Sequence, residues 1–276
     1  MTAFSHHRSR GSHAARLRVA GALAAWVACS GAWADFAVGL SPPRFEVQVE
    51  SGQVSRQVLT IINGSEQPAD LSVKTADWAY DGRGGVDFQE PLQPGSCRPW
   101  VAIERHQIHV AGGGQYKFRF EITPPPGTAA GECRFALMIE GAEGHVQAGS
   151  VDLPLGARMA AVVYAEIGSA KPALHILGTH MGTVEGRATP MVDIRNDGSA
   201  HGRLSGFLTG EDAAHTRYDL EPDPAPILPG ETRAIALIAT RPGAPTQPVG
   251  VHAPAKVSGT LEAGDQKLPL DEWVAP

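Results

Sequence analysis

The chain has 276 residues, with 23 Lys and Arg against 29 Asp and Glu, and a formal net charge of −6. No basic run longer than two residues occurs beyond residue 34. That balance excludes binding along a nucleic-acid backbone or an anionic membrane surface, since both need clustered Lys and Arg. The length suits one or two domains of ordinary size.

In chain order, the first segment carries Arg8, Arg10, Arg16 and Arg18 without an acid, then an apolar stretch from Val19 to Ala28, then Ala32-Trp33-Ala34. A charged start, a short apolar run and a small-x-small site read as a secretory signal peptide over residues 1–34, with cleavage expected after Ala34. A cut before Cys29, giving a lipoprotein, is the alternative at the same segment. The four arginines leave with the signal and no acid does, so the exported part is more acidic, near −10. Its apolar run is too short to span a bilayer, and no later segment reaches about 18 uncharged apolar residues, so no membrane insertion is expected.

Of the three cysteines, Cys97 and Cys133 remain after export, an even pair in an oxidising compartment. A Cys97–Cys133 disulfide is expected, contributing about 2 to 4 kcal/mol by closing its loop. Two cysteines alone cannot hold structural zinc, and they lack the C-x-x-C spacing of a redox motif.

From Phe36 onward the pattern alternates with period two, and 32 glycines and 22 prolines punctuate the chain. This predicts an all-β chain of short strands. Phe45 to Glu50 places its apolar side chains on one face, as a half-buried strand requires. Further strands are expected at 54–63, 71–78, 100–109, 116–122, 133–140 and within 151–167. Asn63-Gly64-Ser65 and Gly112-Gly113-Gly114 mark turns. Seven strands match an immunoglobulin-like sandwich.

The second half repeats the theme. Met191 to Gly198 resembles Leu59 to Gly64 as a strand ending in Asn and a glycine turn, and Leu228 to Leu237 echoes Val110 to Phe120. Two immunoglobulin-like β-sandwich domains in tandem are expected, at 35–168 and 169–276. Between Arg241 and Pro254 the prolines thicken and the strand signal weakens.

Catalytic chemistry is absent from the pattern. No H-E-x-x-H, G-x-S-x-G or phosphate-loop spacing occurs, and the eight histidines beyond the signal are scattered. No enzyme activity, metal or cofactor is expected. The candidate site is instead a sheet edge, whose unpaired N–H and C=O groups can accept a foreign strand. Val151, Leu153 and Leu155 alternate on one side of such a segment, and Pro154, which cannot donate to a ladder, marks it as an edge.

The residues Leu40-Ser41-Pro42-Pro43-Arg44, Gln57 to Ser65, Leu92-Gln93-Pro94-Gly95 and Val162-Val163-Tyr164 resemble the periplasmic pilus-assembly chaperones of the PapD-like family, over about residues 36–168. The resemblance implies a periplasmic chaperone that stabilises exported pilus or fimbrial subunits by donor-strand complementation and works with an outer-membrane usher. In that family an arginine on the first strand and a lysine on the last strand of the first domain hold the subunit's terminal carboxylate. Arg44 matches the arginine. The lysine's place falls near Ala161, and Arg158 is the nearest base. The partner-binding residues implied are therefore Arg44, Arg158, Val151, Leu153 and Leu155. An immunoglobulin-like structural or adhesion module, secreted or surface-associated and without chaperone activity, is the alternative from another class.

Overall fold

The structure, a computed structural model, describes residues 37–80, 85–141, 144–148, 151–155 and 157–275. The signal segment and Cys29 lie outside these residues. The chain forms β1 (Val38–Ser41), β2 (Arg44–Val49), β3 (Ser55–Asn63), β4 (Ala69–Tyr80), β5 (Val86–Gln89), β6 (Val101–Ile103), β7 (Gln107–Val110), β8 (Gln115–Ile122), β9 (Gly131–Gly141), β10 (Gly144–Ala148), β11 (Val151–Leu155) and β12 (Arg158–Ile167). One sheet of the first sandwich runs β1-β3-β8-β6, and the facing sheet runs β2-β12-β9-β4-β5 with β7 also on β4.

Alternation explains the layering. On β8, Phe118, Phe120 and Ile122 are fully buried and face Phe135, Leu137 and Ile139 of β9 across the core. Phe120 meets Phe45 and Phe135 edge-on, with centroids 5.2 and 6.2 Å apart. Each such ring contributes about 1.5 to 3 kcal/mol by leaving water. Cys97 and Cys133 are joined, with Cα atoms 5.8 Å apart, tying the segment after β5 to β9.

Two expectations change in detail. The strand expected over 100–109 is split: β6 pairs with β8 and β7 pairs with β4, so the chain crosses from one sheet to the other between them. The strand expected within 151–167 is also divided, because β10–β11 and β9–β12 differ by one residue in register. The first strand shows a similar division. β1 pairs with β3, and after the cis Ser41–Pro42 peptide β2 runs parallel to β12 in the other sheet.

The second sandwich comprises β13 (Leu174–Val184), β14 (Arg187–Asn196), β15 (Leu208–Asp212), β16 (Arg217–Pro222), β17 (Thr232–Arg241), β18 (Ala244–Pro248), β19 (Ala255–Ala263) and β20 (Gln266–Val274). β17 belongs to both of its layers, pairing with β14 over its first half and with β16 over its second. Where β20 passes β13, the Gln266 amide stands in for a backbone: Leu174 N donates to its Oε1 at 2.9 Å, and its Nε2 donates to Leu174 O at 2.5 Å.

The echo between the halves has a physical basis. Asn63 is 1% exposed and Asn196 is 0% exposed. Each donates its side-chain amide to carbonyls across a turn: Asn63 to Gln67 and Val110, Asn196 to Ala200 and Ile227. Each accepts from the residue two positions on, Ser65 or Gly198. Their own N–H groups donate to matching places, Gly114 O and Glu231 O, beside Gly113 and Gly230 in the left-handed region that favours glycine. The buried Asn63 thus works as a turn-former.

Candidate functional site

On β12, Met159, Ala161, Val163, Ala165 and Ile167 alternate with an opposite row that faces away from the first core. Ala161, Val163, Ala165 and Ile167 are buried members of that core. The opposite row runs Arg158, Ala160, Val162, Tyr164 and Glu166. Its middle is apolar: Ala160, Val162 and Tyr164 pack with Ala136, Met138 and Trp78 of the neighbouring strands and with Leu228 of the second sandwich. Trp78 donates its indole N–H to Phe135 O at 3.1 Å and stacks edge-on with Tyr164 at 5.3 Å. Charges flank this patch at both ends.

At one end the two sandwiches meet. His201 and Arg203 lie between β14 and β15 and reach β2, β9 and β12 of the first sandwich. Glu132, opposite Glu166 in the β9–β12 ladder, has its side chain only 1% exposed. Its Oε2 accepts the His201 backbone N–H at 2.8 Å and ring Nδ1 at 2.5 Å, and its Oε1 accepts from Arg134 at 3.2 Å. A carboxylate accepts only, so Nδ1 carries the proton here. The imidazole lies against the Tyr164 ring, centroids 4.1 Å apart, while Arg203 stands 5.6 Å from the centroid of the same ring. Burial, then the hydrogen bond with Tyr80, pushes the Tyr164 phenol up.

Glu46 joins this junction from β2. Its Oε1 lies 2.9 Å from Arg44 Nε, 3.2 Å from Arg203 Nε and 3.5 Å from His201 Nε2. Burial raises the Glu46 carboxyl, but the pull of Arg44, His201 and Arg203 outweighs it and holds the group below its ordinary value. Among the described residues, one donor set could hold a cation: Glu132, Glu166 and His201, with ligand atoms within 4.8 Å of one another. The His201 nitrogen nearest Glu132 is engaged in the hydrogen bond above.

At the other end of the row sits Arg158. It contacts Glu90 at 3.1 Å, and its Nε lies 2.6 Å from Glu140 Oε1 without hydrogen-bond alignment, a charge contact only. Lys74 bridges the same two acids at 2.9 Å each. Those bonds raise the Lys74 ammonium, and the bond from Lys74 is the main cause that lowers Glu90. Arg44 stands level with Val162, four residues from Arg158. At about 3.3 Å per residue that separates their backbones by roughly 13 Å. Arg44 and Arg158 therefore share a face but are not brought together, whereas Arg203, from the other sandwich, meets Arg44 at a single oxygen.

The backbone edge of β12 supplies the remaining element. Val162 N–H donates to Pro43 O at 3.2 Å, toward β2, while Gly141 N–H donates to Ala157 O at 3.0 Å on the β9 side. Ladder groups alternate in direction, so Arg158 and Ala160 point their N–H and C=O toward the β2 side. β2 begins level with Val162, and among the described residues no strand covers those groups. Val151, Leu153 and Leu155 lie on β11, which pairs with β10 alone in a two-stranded ribbon. Pro154 stands opposite His145.

No protein-family model matches the chain, and neither does any curated protein sequence. Among solved structures, similarity is found to a class 5 fimbriae chaperone, CfaA, at 10% identity and a TM-score of 0.47, covering 87% of this chain and 99% of that one. The E. coli chaperone DraB is similar at 11% identity and 0.45, covering 87% and 97%. A Salmonella enterica complex of SafA pilin with the SafB chaperone gives 11% and 0.45 with the same coverage, 87% and 97%.

Proposed function

We propose that the chain is a periplasmic, non-enzymatic chaperone that holds an extended segment of an exported pilus-type subunit by adding it as a strand to the open edge of β12 and its continuation β11. In this reading residues 1–34 are the signal peptide, the sandwiches are domains 35–168 and 169–276, and the subunit's terminal carboxylate is drawn to Arg44 at the angle between them. The observation that carries it is the edge. Arg158 and Ala160 present four backbone groups with no ladder partner among the described residues, beside the apolar row of Ala160 and Val162.

Magnitudes decide how much edge is needed. Four backbone hydrogen bonds contribute about 2 to 6 kcal/mol net, which falls short of most of the roughly 4 to 15 kcal/mol that association costs. A stable complex therefore also draws on β11 and on alternate side chains seated in apolar contact. In this reading Leu153 is a partner-binding residue.

The test is co-expression with the pilus-type subunit encoded beside this chain, followed by co-purification from a periplasmic extract. Arg44→Ala and Leu153→Asp should each lose the complex. Ala160→Pro removes an N–H that the fold does not use, so it should leave a folded chain that no longer captures the subunit. Capture at the parental level by all three folded variants would refute strand addition at this edge.

A further inference from the structure

We propose that Glu46 is a built-in occupant of a two-armed carboxylate clamp made by Arg44 and Arg203, and that an incoming carboxylate must displace it. The identity of that carboxylate, a subunit's chain terminus, rests on the chaperone reading above; the clamp and its occupant rest on the geometry alone.

The two arms come from different sandwiches and converge on one atom. Arg44 Nε and Arg203 Nε both contact Glu46 Oε1, at 2.9 and 3.2 Å. Arg203 is held in place independently of Glu46. Its Nη1 donates to Pro224 O at 2.7 Å, its guanidinium lies beside the Tyr164 ring, and its side chain is only 20% exposed. The clamp would therefore keep its shape when Glu46 leaves. Arg44 is 48% exposed, and its only partner among the described residues is that single contact through Nε.

A guanidinium binds a carboxylate best through two parallel N–H groups on two oxygens. Glu46 offers each arginine one oxygen, a poorer use of the fork. A carboxylate that took two N–H groups would bind each arm better, and Glu46, at 44% side-chain exposure, is free to swing into solvent. Its advantage is proximity: it sits two residues from Arg44 on the same strand face, so its effective concentration is high and constant. Only a carboxylate that is itself tethered, such as one delivered by a strand already paired along β12, competes on those terms. Free small anions do not. Glu46 thereby makes the clamp selective for a carboxylate at the end of a docked chain.

The experiment records the side-chain Nε–H resonances of Arg44 and Arg203 by NMR in the exported chain during titration with acetate, with acetamide as the uncharged control. In the parent, both should respond only at high acetate. In Glu46→Gln, which keeps the side chain's shape and removes its charge, half-saturation should fall at least tenfold with acetamide still silent, and adding Arg203→Gln should abolish the gain. Equal acetate response in the parent and Glu46→Gln, or a gain that survives Arg203→Gln, would overturn the clamp. Capture that still depends on Ala160 while acetate has no effect sinks the clamp and leaves strand addition standing. An acetate gain with no capture of any subunit does the reverse.

Discussion

Two charge clusters flank the same row of β12, and they are built to different ends. The cluster of Lys74, Glu90, Glu140 and Arg158 closes on itself: two cations and two acids, all from the first sandwich and partly exposed apart from the buried Glu140 Oε1. The cluster of Glu46, Glu132, Arg44, Arg134, His201 and Arg203 joins the two sandwiches and buries one carboxylate almost wholly. A self-balanced network of mostly part-exposed charges adds little to stability. A buried pair is costly to break, because its partners stay behind without water. The difference marks the second cluster as the charged junction between the sandwiches and the first as a polar rim.

The largest effect should come from Glu132→Ala, which leaves the His201 N–H, its ring Nδ1 and Arg134 without their acceptor. A loss of about 2 to 4 kcal/mol is expected in urea unfolding. Arg203→Ala should cost less, about 1 kcal/mol, since it loses one carbonyl bond, a half-exposed ion pair and its place beside Tyr164. Arg158→Ala should cost less again, about 0.5 kcal/mol in the same assay, because Lys74 still neutralises Glu140 when Arg158 is gone. A loss at Arg158 equal to that at Glu132 would erase the distinction between the clusters.

The smallest effect is a pH dependence at the junction. The Glu46 carboxyl is held below its ordinary value in the folded chain. Its contribution is therefore present above the unfolded-state value, about 4.3, and is lost as pH falls through the lower folded-state value. Below about pH 4, stability in the parent should drop more steeply than in Glu46→Gln, measured by thermal unfolding across pH 3 to 6. Parallel curves would remove Glu46 from the junction's charge balance.

Much of the first sandwich was legible because alternation over five or more residues reports a half-buried strand directly, as in β2, β3 and β8. At the paired corners only the local part was legible, an Asn followed by a glycine turn, whereas the bonds from Asn63 to Val110 and Gly114 and from Asn196 to Ile227 and Glu231 span 31 residues or more. What escaped was non-local or short. β5 and β10 are four and five residues long, too short for their alternation to stand out from the chain around them. The break between β6 and β7 is dictated by partners in two different sheets. Arg44 was read from its neighbours, but His201 and Arg203 sit in a stretch with no periodicity, and their partners Glu132 and Glu46 are 69 and 157 residues away. Only a charged residue isolated among small ones, in Ala200-His201-Gly202-Arg203, could have drawn attention to them.

The central claim is that a foreign strand pairs with the uncovered side of β12. The most direct measurement is amide hydrogen exchange at Arg158 and Ala160 in the chain alone and in complex with a captured subunit. Those two amides should exchange fast in the free chain and become strongly protected in the complex, while Met159 and Ala161, bonded to β9 throughout, stay protected in both. Unchanged exchange at Arg158 and Ala160 in a stable complex would contradict the account.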